Sequence, residues 1–309
     1  MSTFLLVKNL HAPQRLTVRQ ILSLTEKLYV FKGATEVDES EENPEAYEVW
    51  LDQPLPNDGT TLVLGVDEVS VRGFEFFYHE SDHYVVRVNT PAAIGDWEPA
   101  LATAAALARS LNTTLAVGDG EEFTGGFDPD TLAEEVAWRD DIAYGIQVMR
   151  EHLEKDDLHT LMLLGVARTM VVNLDMLSAV AAAEDPVQAF SDLGVRLQYP
   201  PAFIASQILA ERDGDVVGVY VLSEKLATVL PNGKPSVELD YIDAVGDRVV
   251  DWKLVFMPDE EHGMEPIEVP YATFLAALPE SARTPLDAGN DIVKAMSLEE
   301  FQAMVKDVI

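Results

Sequence analysis

The chain has no cysteine among its 309 residues. Structural disulfides, thiol nucleophiles and zinc–thiolate centres are therefore excluded. Basic residues are scarce as well: 21 Lys and Arg stand against 54 Asp and Glu, a formal net charge of −33. Binding a nucleic-acid backbone needs clustered cations. Here they are few and scattered, so no nucleic-acid partner is expected. Long apolar runs are missing too. The N-terminus, MSTFLLVKNLHAPQ, has a short apolar stretch and no basic leader, which argues against a signal peptide. The most apolar window, residues 161–183, contains Arg168, Asn173 and Asp175. Arg and Asp each cost about 2.5–3.5 kcal/mol at a bilayer centre. That window reads as buried core, no membrane partner is expected, and the expected location is the cytoplasm.

Phosphate-binding and acyl-transfer motifs are also absent. GDGEEF supplies Gly118 and Gly120 but has Phe123 where a third glycine belongs, and in NGKPS Lys234 is followed by Pro235 with no upstream glycine. No G-x-S-x-G elbow occurs. No cofactor is expected. A Ser/His/Asp set assembled by folding leaves no spacing signature and stays open.

What is present is an ordinary globular composition, 48% hydrophobic and 24% charged. A chain of this size buries roughly 75% of its unfolded surface and needs no covalent staple. Its organising stretch is residues 74–111. Strands 74–78 and 84–89 form a hairpin across a turn at 80–82, and pairing Tyr78 with Tyr84 puts Phe74, Phe76, Tyr78, Tyr84, Val86 and Val88 on one face. The other face then sets Glu75 opposite Arg87 and His79 opposite His83. A one-residue slip would mix the faces, so burial selects this register. A helix from about Asp96 to Leu111 follows, with Trp97, Leu101, Ala104, Ala108 and Leu111 on one stripe and Pro99 expected in its first turn.

Around this stretch the chain alternates strands and helices. Residues 3–7 read as a strand, Thr17 as the cap of a helix over 18–28, 36–45 as an exposed acidic loop, and 46–51 and 61–66 as strands. After the central helix come a strand at 114–117 and a helical region that Asp130 can cap, running to about Lys155 and interrupted near 138–140. Residues 161–172 read as strand-like, 175–183 as helix, and Pro186 opens a helix that Gly194 can end. Asp213-Gly214 marks a hairpin between 202–212 and 215–222. Strands at 226–230, 237–242 and 248–257 linked by tight turns, and helices at 270–278 and 297–308 with a Ser297/Glu300 capping box, complete the chain. The expected fold is α+β, with mixed, mainly antiparallel sheets and helices packed on them. It is expected in two similar-sized halves, 1–156 and 157–309, divided at the polar stretch 154–159.

Two motifs carry chemistry on paper. His79-Glu80-Ser81-Asp82-His83 matches H-E-x-x-H, in which two histidines one helical turn apart bind zinc and the glutamate activates water. The motif works on a helix, where i and i+4 share a face. Here its flanks, FEFFY and YVVRV, are strand-forming and Ser81-Asp82 is turn chemistry. His79, Glu80 and His83 are thus metal candidates set against a polar hairpin tip. The second motif, GDGEEFTGGFDPD, holds Asp119, Glu121, Glu122, Asp128 and Asp130, but lacks the order of a calcium-binding EF-hand loop and reads as a solvated acidic loop.

The runs RGFEFFY, YVVRVNTP, DWEPAL, FTGGFD, DIAYGI, NLDML, AEDPVQAF, GVYVLSE and TVLP resemble a bacterial family of about 300-residue cytosolic proteins, domain of unknown function 4299. The resemblance spans most of the chain and implies no activity, so it transfers no catalytic residue. The acidic excess reads either as a solvated surface or as a face that docks a basic partner. The leading expectation is a non-enzymatic interaction or regulatory protein, of immunity type in one version, with a basic protein partner. The alternatives are a metal-dependent hydrolase using His79, Glu80 and His83, and a small-molecule binder in a cleft between the halves.

Overall fold

The computed structural model describes residues 2–33, 44–120, 122–155, 158–212, 214–237, 245 and 248–306. It is an α+β fold with mostly antiparallel sheets, and it divides into two compact units, Met1–Ala167 with Leu174–Tyr199, and Arg168–Asn173 with Pro200–Ile309. Among the described residues no helix is long and apolar enough to cross a membrane.

The first unit is built on a seven-stranded sheet of order β2-β3-β4-β5-β1-β6-β7. Its strands are β1 (Ser2–Lys8), β2 (Leu28–Lys32), β3 (Thr61–Val66), β4 (Phe74–His79), β5 (His83–Asn89), β6 (Leu115–Gly118) and β7 (Phe123–Phe127). The short strand β8 (Leu161–Leu163) also belongs to this unit. The β4–β5 hairpin has the register that burial demands, with Glu75↔Arg87, Tyr78↔Tyr84 and His79↔His83. Phe74, Phe76, Tyr78, Tyr84, Val86 and Val88 are all buried on its inner face. Fully burying side chains of this size contributes about 1.5–3 kcal/mol each, which is why register slippage is suppressed.

Helix α3 (Ile94–Ser110) lies across the inner face of this sheet, with Trp97, Leu101, Ala104 and Ala108 buried. It begins two residues before the expected start, so Pro99 falls beyond the first turn. Proline at 99 removes the N–H that would bond the Gly95 carbonyl, and the Ser70 hydroxyl donates to that oxygen instead at 2.7 Å. Asp96, wholly buried, holds the helix start to the sheet. Its Oδ1 accepts the N–H groups of Val71, Arg72 and Gly73 at 2.8, 3.0 and 2.7 Å, and Oδ2 accepts that of Ala93 at 2.8 Å. Burial pushes the Asp96 carboxyl up from its ordinary value, and the four N–H donors oppose that shift.

The remaining helices of this unit are α1 (Val18–Leu22), α2 (Pro44–Leu51), α4 (Leu132–Glu135), α5 (Trp138–Lys155), α6 (Leu174–Ala181) and α7 (Pro186–Gln198). Thr17 caps α1 in a capping box with Gln20, but the helix stops at Leu22, and Leu28 opens β2 after Lys27 takes a positive φ of 60°. Residues 46–51, expected as a strand, are helical. Pro44 sits at the first helical position, where its missing N–H costs nothing, Glu45 lies in the first turn, and Tyr47 and Trp50 meet at i, i+3 with centroids 5.6 Å apart. Gly194 does not end α7. A Cβ there would lie 2.8 Å from Val71 methyls, so the glycine admits a close approach inside a continuing helix. The break in the 130–155 region falls at 136–137, and Thr131 rather than Asp130 occupies the cap position. Residues 34–43, most of the expected acidic loop, lie outside the described residues.

The second unit carries β9 (Met170–Val172), β10 (Phe203–Ile204), β11 (Ile208–Arg212), β12 (Asp215–Ser223), β13 (Thr228–Pro231), β14 (Val249–Met257), β15 (Ile267–Pro270), β16 (Arg283–Pro285) and β17 (Asn290–Val293). Its helices include α8 (Tyr271–Ala277) and α9 (Leu298–Val305), the latter with the Ser297/Glu300 capping box. Two four-stranded sheets form, β10-β13-β17-β16 and β11-β12-β14-β15. The run 202–212 is therefore two strands in different sheets, and β12 pairs with β14 in parallel, so 226–257 is not a tight-turn meander. Gly214 turns the β11–β12 hairpin with φ 91°; Asp213 and the expected strand residues 238–242 lie outside the described residues. Gly218 leaves room for the Trp252 indole, which a Cβ would meet at 2.1 Å. Phe256 and Phe301 stack with centroids 4.2 Å apart at the centre of the core.

Two buried carboxylates tie the second unit together. Asp287 accepts Arg168 at 2.7 Å, together with the N–H groups of Gly289 and Val171. Glu224, just after β12, accepts the N–H groups of Asp259 at 2.9 Å and Leu298 at 3.0 Å, with His262 Nε2 at 3.1 Å. The Asp259 and Leu298 N–H groups, helped by His262, hold the Glu224 carboxyl below its ordinary value.

Asp96→Asn keeps an oxygen for Val71, Arg72 and Gly73 but turns an amide NH2 against the Ala93 N–H, and is expected to cost about 3 kcal/mol in denaturant unfolding. A depressed glutamate contributes stability above its unfolded value of about 4.3 and loses it as pH falls through the folded value. Glu224→Gln is therefore expected to lower the melting temperature at neutral pH and to flatten its decline on acidification, measured as the difference from the parent across pH 3–7.

Candidate functional site

The H-E-x-x-H string occupies the tip of the β4–β5 hairpin. His79 ends β4, Glu80, Ser81 and Asp82 make the turn, and His83 opens β5. Asp82 supplies the positive φ, 58°, and its carboxylate accepts the Tyr78 hydroxyl at 3.1 Å. The two imidazoles face each other across the strands rather than along a helix. Ser81 links them: its N–H donates to His79 Nδ1 at 3.2 Å, and its carbonyl accepts from His83 Nδ1 at 2.8 Å. A carbonyl only accepts, so His83 carries its proton on Nδ1, and a backbone N–H only donates, so Nδ1 of His79 is a bare lone pair. The Ser81 hydroxyl completes the bridge, 2.7 Å from His79 Nδ1 and 3.1 Å from His83 Nδ1. The lone pair that Ser81 does not engage is Nε2 of His83. Among the described residues no three His, Asp or Glu side chains converge as a metal-ligand set.

Beside the tip, the outer face of β3, β4 and β5 holds a depression of about 580 Å³ lined by Asn57, Asp58, Thr61, Glu75, Phe77, His79, Glu80 and Arg87 among others. Strand alternation puts Thr61, Glu75, Phe77 and Arg87 on this face while their neighbours fill the core. Arg87 donates to Glu75 at 2.8 Å and to Asn89 at 3.3 Å, and its guanidinium lies over the Phe4 ring, 5.9 Å from the centroid. Thr60 donors hold the Asp58 carboxyl below its ordinary range. The lining offers a salt bridge, an aromatic wall and hydrogen-bonding groups, which is binding chemistry.

The other feature is the far edge of the same sheet. β7 is its last strand, paired with β6 on one side. From Asp119 to Glu135 the chain has seven acidic residues and no Lys or Arg. Asp130 is paired with Arg109 at 2.8 Å. The acidic string that reads as a loop in sequence thus brackets a strand, in which Phe123, Thr124, Gly125 and Phe127 pair with β6.

A family model, Domain of unknown function (DUF4299), matches residues 2–304. The chain belongs to this family. No curated protein and no solved structure matches it. The DUF4299 match covers both units, and its description assigns no chemistry to either.

In this DUF4299 chain the sequence singled out His79, Glu80 and His83, and the structure brings the two imidazoles together with Glu80 in the turn between them. Sequence reasoning did not single out Asp58, Thr61 or Arg87 as co-lining residues. Alternation alone marks Glu75, Phe77 and Arg87 as sharing a face, whereas Asp58 and Thr61 arrive through the β3–β4 pairing. The tip geometry predicts the Nε2–H tautomer for His79 and the Nδ1–H tautomer for His83, read from imidazole ¹⁵N shifts. Ser81→Ala keeps both backbone contacts and is expected to preserve both tautomers.

Proposed function

We propose that this DUF4299 chain is a non-enzymatic, cytoplasmic interaction protein of regulatory or immunity type that docks a basic protein partner. The observation that carries this reading is the unbroken acidity of residues 119–135 within a chain of net charge −33. A field of one sign steers an oppositely charged partner and raises association rates by about 10–10³. Exposed charges act over a Debye length of about 10 Å at 0.1 M salt, so the association is salt-sensitive. The tagged chain is expected to recover a basic partner from native lysate at about 0.05 M salt and release it near 0.5 M. Recovery of no partner at low or moderate salt ends the reading.

A metal-dependent hydrolase using His79, Glu80 and His83 is the second reading, favoured by the cross-strand apposition of the two imidazoles. It ranks lower because Ser81 engages His79 Nδ1, leaving one imidazole lone pair that Ser81 does not engage. Metal analysis of tag-free protein separates the two. Stoichiometric zinc that His79→Ala abolishes reverses the ranking.

A further inference from the structure

The sheet of the first unit has two ends, and they are finished differently. β2 carries Lys32 and a register shift between Val30 and Lys32, both of which discourage another strand from pairing. β7, at the other end, has no Lys, Arg or Pro between Phe123 and Phe127. Four of its five residues are exposed, and Phe123 shows 42% of its surface. Its bulge is confined to Gly126, at the C-terminal end, where φ is 93°. Among the described residues no backbone hydrogen bond from outside the sheet reaches residues 123–127.

The two glycines leave this edge bare. A Cβ at Gly126 would meet nothing within 4 Å, and at Gly125 only the Ala116 Cβ at 4.0 Å. Glycine is thus not demanded at 125 by crowding inside the protein, and strand glycines of this kind mark places where another backbone comes close. Unpaired N–H and C=O groups on such an edge are a template for one more strand. The acids Glu122 and Asp128 stand at the two ends of the strand, with Asp119 and the Arg109-paired Asp130 beyond them. A strand with its own acids would be repelled there, and a cationic one is attracted.

We propose that β7 receives an extended, Lys- or Arg-rich segment of a partner protein, which adds to the sheet as an eighth strand through main-chain hydrogen bonds. The proposal rests on the basic-partner reading and specifies where and how that partner docks. Main-chain pairing supplies the affinity, Phe123 offers an apolar contact for alternate side chains, and the flanking carboxylates select charge.

The test uses the full chain and a ten-residue peptide of alternating Lys and Val, with a Glu/Val peptide and an alternately N-methylated Lys/Val peptide as controls. The Lys/Val peptide is expected to bind and to protect the amides of 123–127 from hydrogen exchange, and the N-methylated peptide to bind roughly tenfold more weakly. Thr124→Pro and Gly125→Pro sample the two directions in which an edge N–H can point. Whichever keeps the parent's melting temperature is expected to lose binding roughly tenfold. Glu122→Gln with Asp128→Asn is expected to weaken binding and flatten its salt dependence while keeping the protection pattern.

Equal binding by the tolerated proline variant, or protection elsewhere, overturns the edge site and leaves the basic-partner reading standing. So does capture of a basic lysate partner by that variant at parental strength. Equal binding of the Glu/Val peptide overturns the charge selection. A parent dimer that the proline variant dissolves in sedimentation assigns the edge to a second copy and overturns the proposal. Absence of both peptide binding and any basic lysate partner removes the reading itself.

Discussion

The Asp96 carboxylate accepts four backbone N–H groups, three from the turn that enters β4 and one from Ala93 at the start of α3. Among the described residues no other backbone acceptor reaches those donors, as helix starts leave their first N–H groups unpaired. One buried side chain thereby fixes where the central hairpin begins relative to the helix that covers it. The aromatic face of the hairpin, Trp97 and the alanine stripe of α3 all depend on that placement. The Ser70 hydroxyl makes the same connection at the next level, by filling the hydrogen bond that Pro99 removes. A polar staple at this junction lets an alanine-rich helix approach the sheet closely without leaving unmade bonds beneath it.

With the inner face so occupied, the outer face and edges of the sheet are what remain for contact with other molecules. The hairpin tip, the depression beside it and β7 all sit there. The tip binds its own histidines through Ser81, the depression is floored by the Glu75–Arg87 pair, and β7 is flanked by an excess of carboxylates. Of these, β7 alone combines open backbone groups with a field of one sign. The second unit uses the same device as the first. Glu224 and Asp287 are buried carboxylates that gather backbone N–H groups from segments far apart in sequence.

The hairpin register was legible because six large side chains must share one face, and a slip would expose them all. The Thr17 and Ser297 caps were legible because their partners lie three residues away. Misreadings fell where local signal and tertiary demand diverge. Residues 46–51 have strand-like composition, yet Pro44 and Glu45 start a helix. Gly194 looks like a helix stop, yet serves close packing against Val71. The run 202–212 is continuous in character, yet is shared between two sheets.

At the candidate site, the string of residues 79–83 could be placed on a turn from its strand-forming flanks, and the acidity of 119–135 could be counted. Composition, charge, register and capping are local or additive properties, so the sequence by itself determined the α+β class, the central hairpin, the acidic character and family membership. The reach of Asp96 across 23–25 residues, the parallel pairing of β12 with β14 and the exposure of β7 at a sheet edge were decided by tertiary structure alone. Each depends on which distant backbone groups are left unpaired once the sheets are assembled, and no local pattern encodes that.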